Sequence, residues 1–141
     1  MGKLSVKLVA AGFLVAVCAA YVAAYTIDEK QVDRQKIYWG LPNSFEKPGE
    51  VRYQEVVMET PEYKELKEKK IERGTGRYWI LISQASDRAV KTIAQVGQES
   101  EYDLITAEGY LGSLEPAISA DDITELVLKT MEQNLKRDSN R

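Results

Sequence analysis

The stretch AVKTIAQVGQESEYDLITAEGYLGSLEPAISADDITELVLKTMEQ, from Ala89 to Gln133, holds the segments on which a reading of the fold turns. Its first part continues a helical stripe. Tyr102, Leu104 and Thr106 then alternate with Asp103 and Ile105, the two-residue period of a strand. Glu108-Gly109 supplies a turn, and Tyr110 to Leu114 is expected to pair back as a second strand. Asp122 and Glu125 form a D-x-x-E capping pair, and Ile123, Val127, Met131 and Leu135 lay an apolar stripe along the helix that follows. The terminal residues 137–141 read as a frayed polar tail.

Working back from Ala89, positions 78, 82, 85, 89, 92/93 and 96 carry Tyr, Ile, Ala, Ala, Thr/Ile and Val, a 3,4 spacing that predicts a helix over 77–98. YWILIS, residues 78–83, also admits a strand reading because six apolar or β-prone residues follow one another; the continuous helix is preferred. Gly74-Thr75-Gly76 reverses the chain. Ahead of it, residues 62–73 form an outward helix, with Thr60 as its cap and Pro61 in the first turn, where the missing amide hydrogen has no partner to lose. Residues 62–98 are therefore a short helical hairpin. Upstream, GLPNSFEKPGE at 40–50 holds two prolines and two glycines, which predicts a linker and makes 25–50 a polar stalk. Tyr38 and Trp39 are expected to cover a core edge. The fold class is α+β: a small antiparallel or mixed sheet body, a short hairpin and a C-terminal amphipathic helix.

At the N-terminus, Lys3 and Lys7 precede a run without charge from Leu8 to Ile27. The run is about long enough to span a bilayer, and it ends VAAY, where Val22 and Ala24 suit a cut before Tyr25. Residues 1–24 are thus a cleaved signal or a retained anchor. The expected location is periplasmic or otherwise exported, with 8–27 as the inner-membrane anchor in the second case. Cys18, the sole cysteine, reads as one more apolar residue of this run.

Without Lys3 and Lys7, 17 basic residues remain against 22 acidic ones, a net charge of −5. That balance gives no footprint for nucleic acid. The chain has no His, and the mature part no Cys, so the commonest general base, thiol nucleophiles and zinc ligands are missing. Glu99-Glu101-Asp103 and Asp121-Asp122 are ordinary for a solvated loop and a helix cap. No enzyme, cofactor or metal is expected. One cluster stands apart: six basic residues lie between Lys64 and Arg77 against three acidic ones. Lys67, Lys69, Lys70, Arg73 and Arg77 are the candidate tip for anionic lipid or an acidic unfolded segment, although Lys/Glu alternation also serves plain helix solubility.

The order of these segments resembles the Skp/OmpH family of periplasmic chaperones. The matching residues are Ala89, Val90, Lys91, Ile93, Ala94, Asp103, Leu104, Ile105, Tyr110, Asp122, Ile123, Thr124, Val127, Leu128 and Lys129, and nearer the N-terminus Gln54, Val56, Glu59, Thr60, Pro61, Lys64 and Leu66. The family-like domain would span 51–136, its first strand reduced to EVRY and its hairpin arms to a stub. The resemblance implies a homo-oligomer, a trimer in that family, that holds unfolded or outer-membrane proteins without ATP. Leu104, Tyr110, Ile123 and Val127 are then candidates for the oligomer interface or the core. The alternative is a membrane-anchored structural or accessory subunit of an envelope complex.

Overall fold

A computed structural model describes residues 23–141. The expected signal segment lies outside the described residues up to Val22. Four strands form one mixed sheet: β1 (Ile37–Gly40), β2 (Pro48–Val51), β3 (Leu104–Ala107) and β4 (Asp121–Asp122), in the order β1-β3-β2-β4. β3 runs antiparallel to β1 and parallel to β2, and β4 is parallel to β2. Among the described residues four α-helices complete the α+β fold: α1 (Tyr53–Met58), α2 (Pro61–Glu68), α3 (Gly76–Glu99) and α4 (Thr124–Ser139).

β3 divides the core. Its pleat sends alternate side chains to opposite faces, and Leu104, Ile105 and Thr106 are all fully buried. On one face Ile105 joins Val56 of α1, Ala89, Ile93 and Val96 of α3, and Ile123, Val127 and Met131 at the start and along the inner stripe of α4. On the other, Leu104 meets Ile27, Phe45, Leu111, Leu114 and Ile118, which come from irregular segments. The stripe read for the closing helix is therefore its packing face. YWILIS lies wholly within α3.

Three expectations are corrected. Residues 25–50 are not a stalk: Ile27 and Phe45 are buried at 4% and 1% exposure, and Tyr25 and Phe45 exchange backbone hydrogen bonds of 2.6 and 3.1 Å. The Gly/Pro-rich stretch is a tight connection between β1 and β2. Gly40 has φ +88°, and a Cβ there would overlap the Asp103 carbonyl; the Asp103 carboxylate in turn accepts from the Glu46 and Lys47 amides at 2.7 and 2.9 Å. Second, Tyr110 to Leu114 forms a 3-10 turn (Leu111–Ser113) instead of a strand. No hairpin can close there because β1 and β2 already occupy both edges of β3. Third, the tail does not fray at 137. α4 continues to Ser139, with Lys136 and Arg137 in the last turn, where cations suit the helix C-terminus.

Trp39 covers the core edge as expected, and it does so on a glycine. A Cβ at Gly97 would overlap the Trp39 indole, so β1 and α3 approach as closely as they do only because residue 97 has no side chain. Tyr38 stacks on Tyr53 with ring centroids 5.2 Å apart. Gly97→Ala should destabilise the fold by about 1–3 kcal/mol through overpacking, despite the better helix propensity of alanine. In urea unfolding, the double variant Gly97→Ala/Trp39→Leu should cost less than the sum of the two single variants.

Candidate functional site

The hairpin that presents the basic cluster is built by two caps. The Thr60 hydroxyl oxygen accepts from the Tyr63 amide at 3.2 Å and Pro61 occupies the first turn, so α2 starts where the sequence places it. It ends earlier than expected, at Glu68. Lys70 takes φ +49°, and the Ile71 amide returns to the Leu66 carbonyl at 3.1 Å, closing the helix end. Gly74 follows at φ +95°, and Thr75 caps α3 by accepting from the Tyr78 amide at 3.2 Å.

Within this hairpin the five tip residues divide into two sets. Lys69 and Arg77 both pair with Glu65, at 2.9 and 2.5 Å, and hold its carboxyl below the usual carboxylate range. Lys64 likewise pairs with Glu59 at 2.7 Å. Among the described residues no ion pair engages Lys67, Lys70 or Arg73. These three share the rim of an open bowl of about 510 Å³, whose remaining lining is Tyr63, Leu66, Ile71 and Tyr78. Lys67 Nζ lies 5.7 Å from the Tyr63 ring centroid, within cation–π range. The cluster is thus three free cations over an aromatic and aliphatic floor. Tyr63 and Tyr78 are the components that the basic count alone did not pick out, and their i, i+4 and post-turn spacing to Lys67 and Gly74 is the signal that marks them.

Leu104, Tyr110, Ile123 and Val127 are placed elsewhere. Leu104, Ile123 and Val127 are at most 2% exposed in the single chain and have no surface to offer a second copy. Tyr110 pins the N-terminal segment: its hydroxyl donates to the Gln31 carbonyl at 2.8 Å and accepts from the Asp33 amide at 2.9 Å. All four belong to the fold of one protomer.

The base of the hairpin is locked to the body by Glu62 and Arg88. Arg88 Nε and Nη2 donate to the Glu62 carboxylate at 2.6–3.0 Å, and the Glu62 side chain is 15% exposed. Burial, the largest single influence, pushes the Glu62 carboxyl up, but the Arg88 hydrogen bonds, a backbone hydrogen bond and the Arg88 charge together outweigh it and hold the group below its ordinary value. A second cleft of about 690 Å³ opens beside this pair, lined by Asp87, Lys91, Gln95, Asn134, Arg137 and Asp138 among others. Its charges are of both signs, so it favours neither anions nor cations.

Asp122, expected to cap the closing helix, stands in β4 one residue ahead of the cap position, which Ile123 fills without a side-chain bond; the Asp122 carboxylate instead accepts from the Thr124 hydroxyl at 2.6 Å and the Thr124 amide at 3.0 Å, and faces Arg52 at 3.4 Å. Those hydrogen bonds, with Arg52 behind them, lower its carboxyl. The same Thr124 hydroxyl oxygen accepts from the Arg52 amide at 3.0 Å, tying the start of α4 to the start of α1. Among the described residues no helix is long and apolar enough to cross a membrane. Comparison with protein-family models, curated proteins and solved structures found no match.

A carboxyl whose pKa is lower in the folded state stabilises the fold above its unfolded pKa, about 4.3 for Glu, and loses that contribution as pH falls through the folded value. Stability should therefore decline from about pH 5 downward. Glu62→Gln should cost about 1–3 kcal/mol at pH 7 and flatten that decline, as read from urea midpoints between pH 7 and pH 3.

Proposed function

We propose that this protein is a non-catalytic, exported binding module that grips exposed segments of other envelope polypeptides in the hairpin bowl. The observation that carries the reading is the pairing of three cations, Lys67, Lys70 and Arg73, with the Tyr63, Leu66, Ile71 and Tyr78 floor. An extended chain that mixes carboxylates with large apolar side chains satisfies both parts at once. Folded domains present such combinations less often, because their apolar groups are inside.

The reading agrees with the holdase activity implied by the resemblance to the Skp/OmpH family, with one difference of mode. α2 has eight residues, a reach of about 12 Å, so the hairpin can hold a segment but cannot enclose a client. A second reading, an accessory subunit held at a membrane, is favoured by one observation. Ile27, at the end of the uncharged run, is 4% exposed in the body and Tyr25 is bridged to Phe45, so residues 25–27 belong to the fold, a span could draw only on 8–24, and it would join the body without a spacer. If the run is retained, the body sits directly at the membrane.

The test is fluorescence anisotropy with a labelled, unstructured peptide containing Asp, Glu, Leu and Tyr. Wild-type binding should weaken steeply between low and moderate salt, because exposed charges are screened beyond about 8 Å at 0.15 M. K67E/K70E/R73E should lose at least about tenfold in affinity, some 1.4 kcal/mol, with its melting temperature unchanged. Binding indifferent to both salt and the triple reversal would overturn the reading.

A further inference from the structure

Among the described residues no other helix or strand covers the outward face of α3 at Trp79, Ile80, Ser83 and Val90, while Gln84, Asp87 and Lys91 at its edge also line the open cleft beside the end of α4. α2 takes the side of α3 that bears Arg88, α4 reaches Gln95 through Asn134, and the core takes Ala89, Ile93 and Val96. Left to solvent are Trp79, Ile80 and Val90, at 58%, 59% and 41% exposure, with Ser83, Asp87 and Lys91 between and beside them. An indole and an isoleucine this open, on neighbouring positions of a rigid 24-residue helix, form an apolar face that one protomer does not use.

We propose that a second copy of this chain docks on this face, α3 against α3, antiparallel about a two-fold axis beside Ala85. The face is complementary to itself in that arrangement alone. Residues whose numbers sum to about 170 come level when two such helices run in opposite directions. Trp79 then meets Val90 of the second copy, Ile80 lies on the methylene stem of its Lys91, and Gln84 reaches its Asp87. Each contact is made twice by symmetry. The Lys91 ammonium also comes near the indole, which favours it by cation–π attraction, and Ser83 near the axis allows close approach. A parallel pairing would bring Asp87 onto Asp87, like charge on like. Sliding the antiparallel pair by one turn would press Trp79 or Ile80 on Asp87 in one direction, desolvating the carboxylate without a donor, and Asp87 on Asp87 in the other. A single helix-to-helix contact falls at the small end of specific interfaces, so the dimer is a weak, reversible one.

This dimer does not rest on the peptide-binding reading: the bowl and the outward face of α3 share no residue, and because the Trp79 indole meets the Tyr78 ring of the bowl floor edge-on at 5.3 Å, Val90→Glu is the variant that separates the two sites. It is tested by sedimentation of the full chain in a non-ionic detergent at up to ~200 µM, a range suited to small, transient interfaces. Wild type should show a monomer–dimer equilibrium. Trp79→Lys and Val90→Glu should each raise the dissociation constant by at least about tenfold while leaving the melting temperature unchanged, since both sites are exposed. Because position 79 of one copy faces position 90 of the other, W79K/V90E should regain association to within about threefold of wild type, now with a salt dependence wild type lacks. A wild-type monomer throughout that range, or a double variant no tighter than the single ones, would overturn the dimer. K67E/K70E/R73E should associate like wild type. Dimer loss in that variant would also overturn the proposal, whereas loss of peptide binding alone would bear only on the bowl.

Discussion

Both faces of β3 are buried, and the arrangement of the whole molecule follows from covering them. Leu104 and Ile105 point opposite ways from adjacent positions, so neither the helices nor the irregular segments suffice alone. The helices take the Ile105 face. The Leu104 face is left to residues 25–36, 41–47 and 108–120, which have little regular structure and contribute Ile27, Phe45, Leu111, Leu114 and Ile118. A strand buried on two sides needs both covers, and this explains why a segment rich in proline and glycine is packed as tightly as any helix.

The same constraint explains how the hairpin can stand out from the body. α3 is 24 residues long, and its buried positions run from Leu81 through Gly97, so its C-terminal part is the layer over the sheet while its first turn projects beyond it. α2 runs out alongside α3 and is fixed at its base by the half-buried Glu62–Arg88 pair and by the Thr60 cap. The rim cations are therefore carried on a rigid mount. The backbone beneath them is held this way, so the ordering cost of binding falls mainly on the three long side chains.

Charge is partitioned within the hairpin by local spacing. Glu65 sits four residues before Lys69 and is brought beside Arg77 by the turn, so it neutralises that side of the tip. Lys67, Lys70 and Arg73 fall on the side where the lining contains no carboxylate. A count of basic residues treats all of them alike. Only the wrap of the turn, with Lys70 at φ +49° and Gly74 at φ +95°, sorts them.

The sequence by itself determined the local elements whose causes are local. The 3,4 spacing of α3, the Thr60-Pro61 start of α2, the turn at Gly74 and the Ile123, Val127, Met131 stripe of α4 each rest on neighbours a few residues apart, and each is found. The α+β class follows from them. Tertiary structure alone decided what depends on distant partners. Whether residues 25–50 pack or dangle depends on Leu104 having an uncovered face, more than fifty residues away. Whether Tyr110 to Leu114 pairs as a strand depends on the edges of β3, already filled by β1 and β2. Whether a lysine at the tip is free depends on which side of the hairpin Glu65 faces. Periodicity and capping report the conformation a segment prefers, but which surface it meets is set by the sum of all burial, and no short stretch encodes that sum.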